Sequence, residues 1–369
     1  MAELIFEDHF SRSILSKLIA DHKIDRIVTS GFIMRDSNYG SLKKALKKQS
    51  IPVDTMNRAM TLSNIDTALK DKQFRHILVV GGGRLVDYCK LICSRRNRDL
   101  SILLTNLSND GFASGCSALP IKIGGDFETI KSRVPKNVFA FYEVLSLMPK
   151  AFLVSGLGEC VSKLQVMEDL RFEHSQRMID KLFCQPLESL FDLLFRDFTI
   201  HNFSDREFVF RLTKALYQYS NLMRDGSTLC SRSEHEFEKA CTMSGIELRH
   251  GTLVLIGALV SMHIRDSQPS LYEGRRPSFT YDTLLKVIVK FKLTKHTQKA
   301  LQKLIKNLSD PVFSKNLQTL SNLRPDRIGL WNFVDSQKIN WHDQFNEMHQ
   351  DLYEMKSSPK RELLDVLDM

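Results

Sequence analysis

Three consecutive glycines at positions 81 to 83 could bring the backbone close to a phosphorylated ligand. They follow an apolar run and precede Arg84 and Asp87, where the pattern predicts the first turn of a helix. Glycine allows a close approach to the backbone, and the free N–H groups at a helix start attract negative charge. The segment therefore predicts a pyrophosphate-binding turn. Its spacing is not the dinucleotide fingerprint with glycines at the first, third and sixth positions, and a purely structural turn is the alternative.

A second polar segment follows the next predicted strand. It carries hydroxyl side chains at Thr105, Ser108 and Ser114, and an Asp-Gly pair at Asp110. Hydroxyls and turn amides at the carboxyl end of a strand are placed to meet a ligand in the crevice of an open α/β sheet. The same residues are also ordinary turn formers, so this segment alone leaves a structural turn open.

The elements that would position these residues alternate between helical and extended patterns. Apolar residues at helical spacing between 10 and 19 predict a helix, and residues 26–31 resemble a short strand ending in glycine. Continuous apolar runs at 76–80 and 100–105 predict strands covered on both faces. The alternation predicts parallel βα units, that is, a Rossmann-like parallel sheet.

Later segments follow other patterns. Residues 121–126 are typical of a hairpin turn. After Pro149 the sequence becomes mostly helical, with an apolar stripe between 187 and 198 and a capping box formed by Ser204 and Glu207. The second half of the chain is therefore predicted to be all-α.

Length and composition set the broad class. The chain has 369 residues, of which 43% are hydrophobic and 26% charged, enough for packed cores. We expect an α/β nucleotide-binding domain at residues 1–150 and an α-helical metal- and substrate-binding domain at 151–369. No apolar run is long enough for a membrane span, and Glu3 and Glu7 do not suit a secretion signal. Seven scattered cysteines favour reduced thiols and a cytoplasmic location.

The charge of the chain favours anionic ligands without selecting one. Lysine and arginine exceed aspartate and glutamate by +9. Seven lysines between Lys286 and Lys306 alternate with aliphatic residues, which fits either a solvated helix face or a nucleic-acid surface. The first interpretation is favoured because the aromatic residues that stack on bases are missing there. We therefore expect no nucleic-acid partner.

Ordered motifs resemble a superfamily that contains iron-type alcohol dehydrogenases, glycerol-1-phosphate dehydrogenases and 3-dehydroquinate synthases. The motifs are the glycine turn continued to Asp87 and Lys90, the segment 105–114, the pair Gly158-Glu159, the segment 231–235, and the pair His250-Gly251. Arg84 directly after the glycines is most similar to the glycerol-1-phosphate dehydrogenase branch. The resemblance covers roughly residues 25 to 265 and implies a dehydroquinate synthase-like fold, with a metal ion between an amino-terminal nucleotide domain and an α-helical carboxyl-terminal domain.

The resemblance also implies site residues and cofactors. Glu159, His235 and His250 would bind one divalent metal ion, with zinc favoured and iron, nickel or manganese left open. Such a set leaves positions on the ion for a substrate oxygen, as a catalytic site requires. Asp110 would bind a substrate hydroxyl. The cofactor would be NAD or NADP, and its implied contacts are Gly81, Gly82, Gly83, Arg84, Asp87, Thr105, Ser108 and Ser114.

Several residues depart from the branch pattern. Glu159 stands where the branch commonly has aspartate, although the synthases use glutamate. Lys239 stands where the branch has a second histidine, and Arg232 replaces a glycine. Positive charge at Lys239 and Arg232 near the predicted metal would suit a phosphorylated or otherwise anionic substrate. We therefore expect a substrate specificity that differs from the rest of the branch.

Three functions are compatible with this pattern. The first is a metal- and NAD(P)-dependent oxidoreductase that transfers hydride to the metal-polarised carbonyl of a phosphorylated or anionic small polyol or ketone. The second is a dehydroquinate synthase-like cyclase, favoured by Glu159 but opposed by Ser162, where the synthases usually have lysine. The third is a catalytically silent relative that serves as a binding or regulatory protein. A homo-oligomer is compatible with all three.

Overall fold

The computed structural model describes residues 2–56, 60–67, 69, 72–122, 127–173, 205–224, 226–267, 280–322 and 339–357. Its contacts divide the chain into two compact units. Unit one comprises residues 1–156 and 201–228, and unit two comprises residues 157–200 and 229–369. The segment at 201–228 therefore joins unit one although it follows part of unit two in sequence.

Unit one is built around a parallel sheet of six strands in the order β1-β8-β5-β4-β2-β3. Strands β6 and β7 form a separate antiparallel pair. The strands are β1 Glu3–Glu7, β2 Arg26–Ser30, β3 Val53–Met56, β4 His76–Gly81, β5 Asp99–Leu104, β6 Cys116–Pro120, β7 Phe127–Lys131 and β8 Asn137–Phe141. This arrangement confirms the predicted parallel α/β sheet.

The helices assigned to unit one lie between and after these strands. They are α1 Arg12–Asp21, α2 Gly31–Arg35, α3 Gly40–Lys47, α4 Arg84–Arg95, α5 Tyr142–Leu145 and, after the long helix α6 Lys150–Glu173, α7 Arg206–Leu222. The division between the units falls within α6. Side chains of the sheet, such as Leu78 and Val80, form one buried cluster with Leu15 of α1 and Leu46 of α3.

Central strands β4 and β5 position the predicted nucleotide site. All six residues of β4 are buried, and five of the six residues of β5 are buried. Continuous burial explains why both strands have unbroken apolar sequences, since a strand covered on both faces has no solvent side. Gly81 pairs with Leu104 at the end of the register, so the polar segments after β4 and β5 begin side by side.

Unit two is helical in its described residues. After α6, its helices are α8 Ser233–Met243, α9 His250–Ser267, α10 Tyr281–Lys290, α11 Thr294–Asn307, α12 Asp310–Asn322 and α13 Trp341–Ser357. Helix α11 buries Leu301 and Leu304 and exposes Lys299 and Lys303, as expected for a solvated lysine face. Within the described ranges, none of the helices combines the length and apolar character needed to cross a bilayer.

Other local predictions had mixed outcomes. The hairpin is present as the antiparallel pair β6–β7, whose connecting residues 123–126 lie outside the described part. The stripe at 187–198 also lies outside it. The capping box at Ser204 is wrong, because Asp205 is the N-cap of α7 and its carboxylate accepts the N–H of Glu207. Aspartate next to serine is an equally good cap, and the spacing alone does not choose between them.

Candidate metal and nucleotide sites

The glycine turn connects β4 to α4. Gly83 has φ +51° and ψ −130°, a conformation that side chains other than glycine rarely adopt. A Cβ atom at Gly82 would lie 2.6 Å from the Asn106 side chain, so the segment after β5 packs directly on the turn. The turn therefore needs glycine at position 83 for its backbone conformation and at position 82 for close packing.

The polar segment after β5 lies against this turn. The Thr105 N–H donates to Gly81 O at 3.2 Å, and the Tyr39 hydroxyl donates to Thr105 O at 3.2 Å. The Ser108 hydroxyl donates to Asn106 Oδ1 at 3.0 Å and lies 3.6 Å from where a Cβ of Gly83 would be. The structure therefore brings two predicted cofactor contacts, Thr105 and Ser108, beside the glycines.

Lys90 is a buried lysine that contacts several of the other predicted residues. The sequence motif contains Lys90, but no role was predicted for it. The Lys90 ammonium donates to Gly111 O at 2.8 Å and to the Ser114 hydroxyl at 2.8 Å, and lies 3.4 Å from Asp87 Oδ1. Burial lowers the pKa of Lys90, and the Asp87 carboxylate opposes that change. Lys90 thereby holds the loop that contains Asp110, which is itself 4% exposed, to the helix behind the glycine turn.

Arg84, the remaining predicted cofactor contact, is exposed at the start of α4. Its guanidinium lies 5.8 Å from the centre of the Phe127 ring, within the range of a cation–π contact. Strand β7 therefore supplies a neighbour for this side chain at the edge of the glycine turn.

The strained turn gives a stability prediction. Gly83→Ala should lower the free energy of unfolding by about 1–3 kcal/mol, because alanine must adopt a sparsely populated backbone conformation. Gly40→Ala is the matched control, since Gly40 has φ −55° and ψ −47° and a Cβ there would meet nothing within 4 Å. Urea unfolding of both variants measures the difference. Equal stabilities would show that the turn relaxes without cost.

Glu159, His235 and His250 converge in unit two as predicted. One ligand atom from each lies within 4.8 Å of the others. His235 Nε2 is 3.5 Å from Glu159 Oε1, and His250 Nε2 is 3.2 Å from Glu159 Oε2. Ligand atoms on one tetrahedral zinc ion lie about 3.4 Å apart, given bonds of about 2.1 Å. The donor types and spacings therefore fit a single divalent cation.

The three predicted ligands differ in exposure. The Glu159 side chain is 0% exposed and that of His235 is 7% exposed, whereas the His250 side chain is 36% exposed. A metal ion bound here would therefore meet solvent or a small molecule on its His250 side. An open position of this kind is what a catalytic metal site requires and a structural one lacks.

Two further carboxylates orient the imidazoles from behind. His235 Nδ1 hydrogen-bonds Glu234 Oε1 at 2.5 Å, and His250 Nδ1 lies 3.5 Å from Glu238 Oε1. A carboxylate on the outer nitrogen fixes the tautomer with Nε2 free to bind a metal. No role was predicted from the sequence for Glu234 or Glu238. Their positions on the same helix as His235 could have indicated that they lie near its imidazole.

Negative charge dominates this cluster. Burial acts to raise the pKa of Glu159, but the Lys163 ammonium and the two imidazoles hold it well below its usual value. Burial acts to lower the pKa of His250, but the Glu238 and Glu159 carboxylates hold it well above its usual value. Three carboxylates therefore stabilise positive charge at this place, whether it is a proton or a cation.

Lys163 lies within the cluster. Its ammonium donates to Glu159 Oε1 at 2.7 Å and to Cys230 O at 2.9 Å, and its side chain is 0% exposed. The two residues are four apart on α6, so they share one helix face. Lys163 therefore restrains the Glu159 carboxylate and neutralises part of its charge.

Two glycines allow the ligand helices to approach each other. A Cβ at Gly158 would lie 2.5 Å from Gly251 O, and a Cβ at Gly257 would lie 2.5 Å from Glu234 O. Gly158 precedes Glu159 on α6, and Gly251 follows His250 on α9. Close packing of α6 and α8 against α9 thus brings the three predicted ligands within reach of one ion.

Two of the three predicted substrate contacts, Arg232 and Lys239, lie at α8. Arg232 is 3% exposed, and its backbone N–H donates to Glu234 Oε1 at 3.0 Å. Lys239 lies four residues after His235 on the helix. Their roles toward a substrate stay predictions.

Comparisons with known proteins identify related sequences. The sequence profile of the family Iron-containing alcohol dehydrogenase matches residues 11–149. The glycerol-1-phosphate dehydrogenase [NAD(P)+] of Pyrococcus furiosus is 24% identical over 60% of this chain and 66% of its own length. That of Pyrobaculum arsenaticum is 26% identical over 67% of this chain and 73% of its own length. The chain thus spans about two thirds of the length of these relatives.

Solved structures show the same fold. The glycerol dehydrogenase of Schizosaccharomyces pombe superposes with a TM-score of 0.68 at 17% identity, covering 97% of this chain and 92% of that protein. A probable glycerol dehydrogenase from Sinorhizobium meliloti superposes with a TM-score of 0.59 at 13% identity, covering 88% of this chain and 97% of that protein. The chain therefore has a dehydroquinate synthase-like fold, and its resemblance to the glycerol-1-phosphate dehydrogenase branch of the iron-containing alcohol dehydrogenase superfamily is confirmed.

Proposed function

We propose that the protein is a metal- and NAD(P)-dependent oxidoreductase that interconverts a phosphorylated or anionic small polyol and its ketone. The observation that carries this proposal is the convergence of the Glu159 carboxylate with Nε2 of His235 and His250. Relatives named glycerol-1-phosphate dehydrogenase support glycerol-1-phosphate and dihydroxyacetone phosphate as the first substrates to test.

A divalent metal ion would be held by Glu159, His235 and His250, and when bound it would act as a Lewis acid that stabilises developing negative charge on a substrate oxygen. The nitrogen and oxygen donors suit zinc, iron, nickel or manganese, with zinc as our first choice. Glu234 and Glu238 keep the two Nε2 atoms available as donors by facing the Nδ1 atoms. The chain therefore supplies both the ligands and the groups that orient them.

NAD or NADP would supply the hydride chemistry. We assign its diphosphate to the turn at Gly81, Gly82 and Gly83, where the backbone can be approached closely and α4 begins. The remaining proposed cofactor contacts are Arg84, Asp87, Thr105, Ser108 and Ser114. Under this proposal the residues up to about 150 bind the nucleotide, and residues 151–369 bind metal and substrate.

The chain also offers groups for an anionic substrate. Asp110 would accept a hydrogen bond from a substrate hydroxyl. Lys239 and Arg232 would favour a phosphate or carboxylate by their charge. Lysine in place of the branch histidine at position 239 supports a substrate related to glycerol-1-phosphate but not identical to it.

The reaction can be followed directly by absorbance. Purified protein supplied with zinc, nickel, iron or manganese should oxidise NADH or NADPH when dihydroxyacetone phosphate or another ketose phosphate is added, and a chelator should stop the reaction. The unphosphorylated ketone is the matched control and should react more slowly, because it lacks the anion. Failure to oxidise either nucleotide with any phosphorylated ketone would contradict the proposal.

A cyclase is the second candidate, because Glu159 is the metal ligand that dehydroquinate synthases use. Such an enzyme would release inorganic phosphate from a sugar phosphate without net oxidation of the nucleotide. Measuring phosphate and absorbance in the same samples separates the two reactions. A catalytically silent relative would give neither signal, yet would have no need of Glu234 and Glu238 behind the two histidines.

We also propose a cytoplasmic location. Seven cysteines make an odd number, and Cys89, Cys93 and Cys241 are buried as free thiols. Thiols persist in reducing compartments.

A further inference from the structure

A second buried cluster connects the three helices that carry the predicted metal ligands. It consists of Gln165, Asp169, Ser233 and Arg265, and we call it the Asp169 cluster. Asp169 lies on α6 with Glu159, Ser233 begins α8 and precedes His235 by two residues, and Arg265 lies on α9, the helix that begins at His250. Each ligand helix therefore contributes to this cluster as well as to the metal site.

Hydrogen bonds and an ion pair converge on the Asp169 carboxylate. The Ser233 hydroxyl donates to Oδ2 at 2.7 Å, and the Ser233 N–H donates to the same oxygen at 3.3 Å. Gln165 Nε2 donates to Oδ1 at 2.8 Å, and Arg265 Nη2 forms an ion pair with Oδ1. Asp169 is 2% exposed and Arg265 is 1% exposed, so water does not compete with these contacts.

Asp169 acts where α8 lacks a cap of its own. The N-cap residue Arg232 makes no side-chain cap hydrogen bond. The Asp169 carboxylate takes over that role by accepting the N–H of Ser233, and its negative charge suits a helix start. The next residues are Glu234 and His235, so the position of this first turn determines where the ligand imidazole and its orienting carboxylate lie.

The contact with Arg265 fixes the third helix. A buried ion pair contributes little net stability, because desolvation offsets the attraction, but it restricts the packing arrangements that keep both charges paired. Gly257 lies between His250 and Arg265 on α9 and gives α9 its close approach to α8 at Glu234 O. If α9 slid along α8, the Asp169–Arg265 pair would break and His250 would be displaced at the same time.

We propose that Asp169 is a positioning residue that holds α6, α8 and α9 in the one register in which Glu159, His235 and His250 bind a single divalent cation. This inference rests on the proposed metal site but concerns a residue that touches neither metal nor substrate. It predicts that weakening the Asp169 cluster impairs metal affinity in addition to folding.

The experiment compares cobalt binding by full-length variants after removal of metal with a chelator. Asp169→Asn keeps the size of the side chain but removes its charge. It should raise the Kd for Co²⁺ about tenfold, the size of effect seen when residues that support metal ligands are substituted. Ser233→Ala removes one donor and should raise the Kd about threefold, the effect of one ordinary hydrogen bond. The visible absorption of bound Co²⁺ should also change, because it reports the ligand geometry.

Tyr281→Phe is the matched control in the same unit. It removes a hydrogen bond of 2.9 Å between the Tyr281 hydroxyl and Asp351 Oδ2, which involves no residue of the Asp169 cluster or of the predicted metal site. This variant should lower Tm without changing the Kd for Co²⁺.

The proposal is overturned if Asp169→Asn and Ser233→Ala bind Co²⁺ as tightly as the unmodified protein while Tm falls, since that is a purely structural role. If Asp169→Asn does not fold, Ser233→Ala decides by the same criterion. Absence of Co²⁺ binding in the unmodified protein would overturn both this inference and the metal site. Normal Co²⁺ binding with the expected variant effects, but without NAD(P)H oxidation, would contradict only the proposed oxidoreductase function.

Discussion

Glu159→Gln should abolish metal-dependent activity and raise the Kd for a divalent ion by more than about 100-fold, since even outer-shell substitutions cost about 10- to 100-fold. Glutamine keeps the shape of the side chain and an oxygen for Lys163, but it removes the negative charge that both imidazoles and the ion need. The loss also leaves the Lys163 ammonium, 2.7 Å from Oε1, buried beside a neutral group. Metal analysis of the purified variant, together with calorimetric titration, measures the effect.

Glu347→Gln provides a carboxylate control in the same unit. Glu347 Oε2 lies 3.8 Å from His263 Nε2, and its side chain is 59% exposed. An exposed pair of this kind contributes little, so metal content and activity should stay at the level of the unmodified protein. Equal bound metal in the Glu159 variant and this control would show that the ion, if present, binds elsewhere.

The central part of the fold could be predicted from sequence because burial leaves a direct pattern. Strands β4 and β5 are covered on both faces, and their apolar runs are therefore continuous. Strands β1 and β3 are the edge strands of the sheet, and none of their residues is buried. The apolar run of β1 has only three residues, and β3 has no apolar run, which explains why neither strand was predicted from the sequence.

Those residues of the candidate site that belong to sequence motifs could be predicted. The resemblance of the motifs to the superfamily implied Glu159, His235 and His250, and the structure brings these residues together. Lys163 is four residues from Glu159, so a search for oppositely charged neighbours on α6 could have found it. The contact of Asp169 with Arg265 joins residues 96 apart and depends on how α6 and α9 pack, which no local pattern states.

Lys163→Met should make the folded state depend on metal. Removing one partner of a buried ion pair costs about 3–5 kcal/mol, because the other charge is left uncompensated. In a chelator, the variant should therefore lose about that much free energy of unfolding, measured by urea denaturation. The unmodified protein should change far less on chelation, because Lys163 already balances one negative charge at Glu159.

Added Zn²⁺ or Co²⁺ should restore most of the stability of the Lys163→Met variant. A divalent ion replaces the missing positive charge at Glu159, and binding only to the folded state stabilises it in proportion to the logarithm of the metal concentration. Restoration should fall short by about 1 kcal/mol, because Cys230 O has lost the hydrogen bond that Lys163 donated at 2.9 Å. A variant equally stable with chelator and with metal would refute the charge balance. Removing the fixed positive charge of Lys163 should also tighten metal binding. Lys163 therefore lowers the metal affinity of the site but keeps the site folded when no metal is bound.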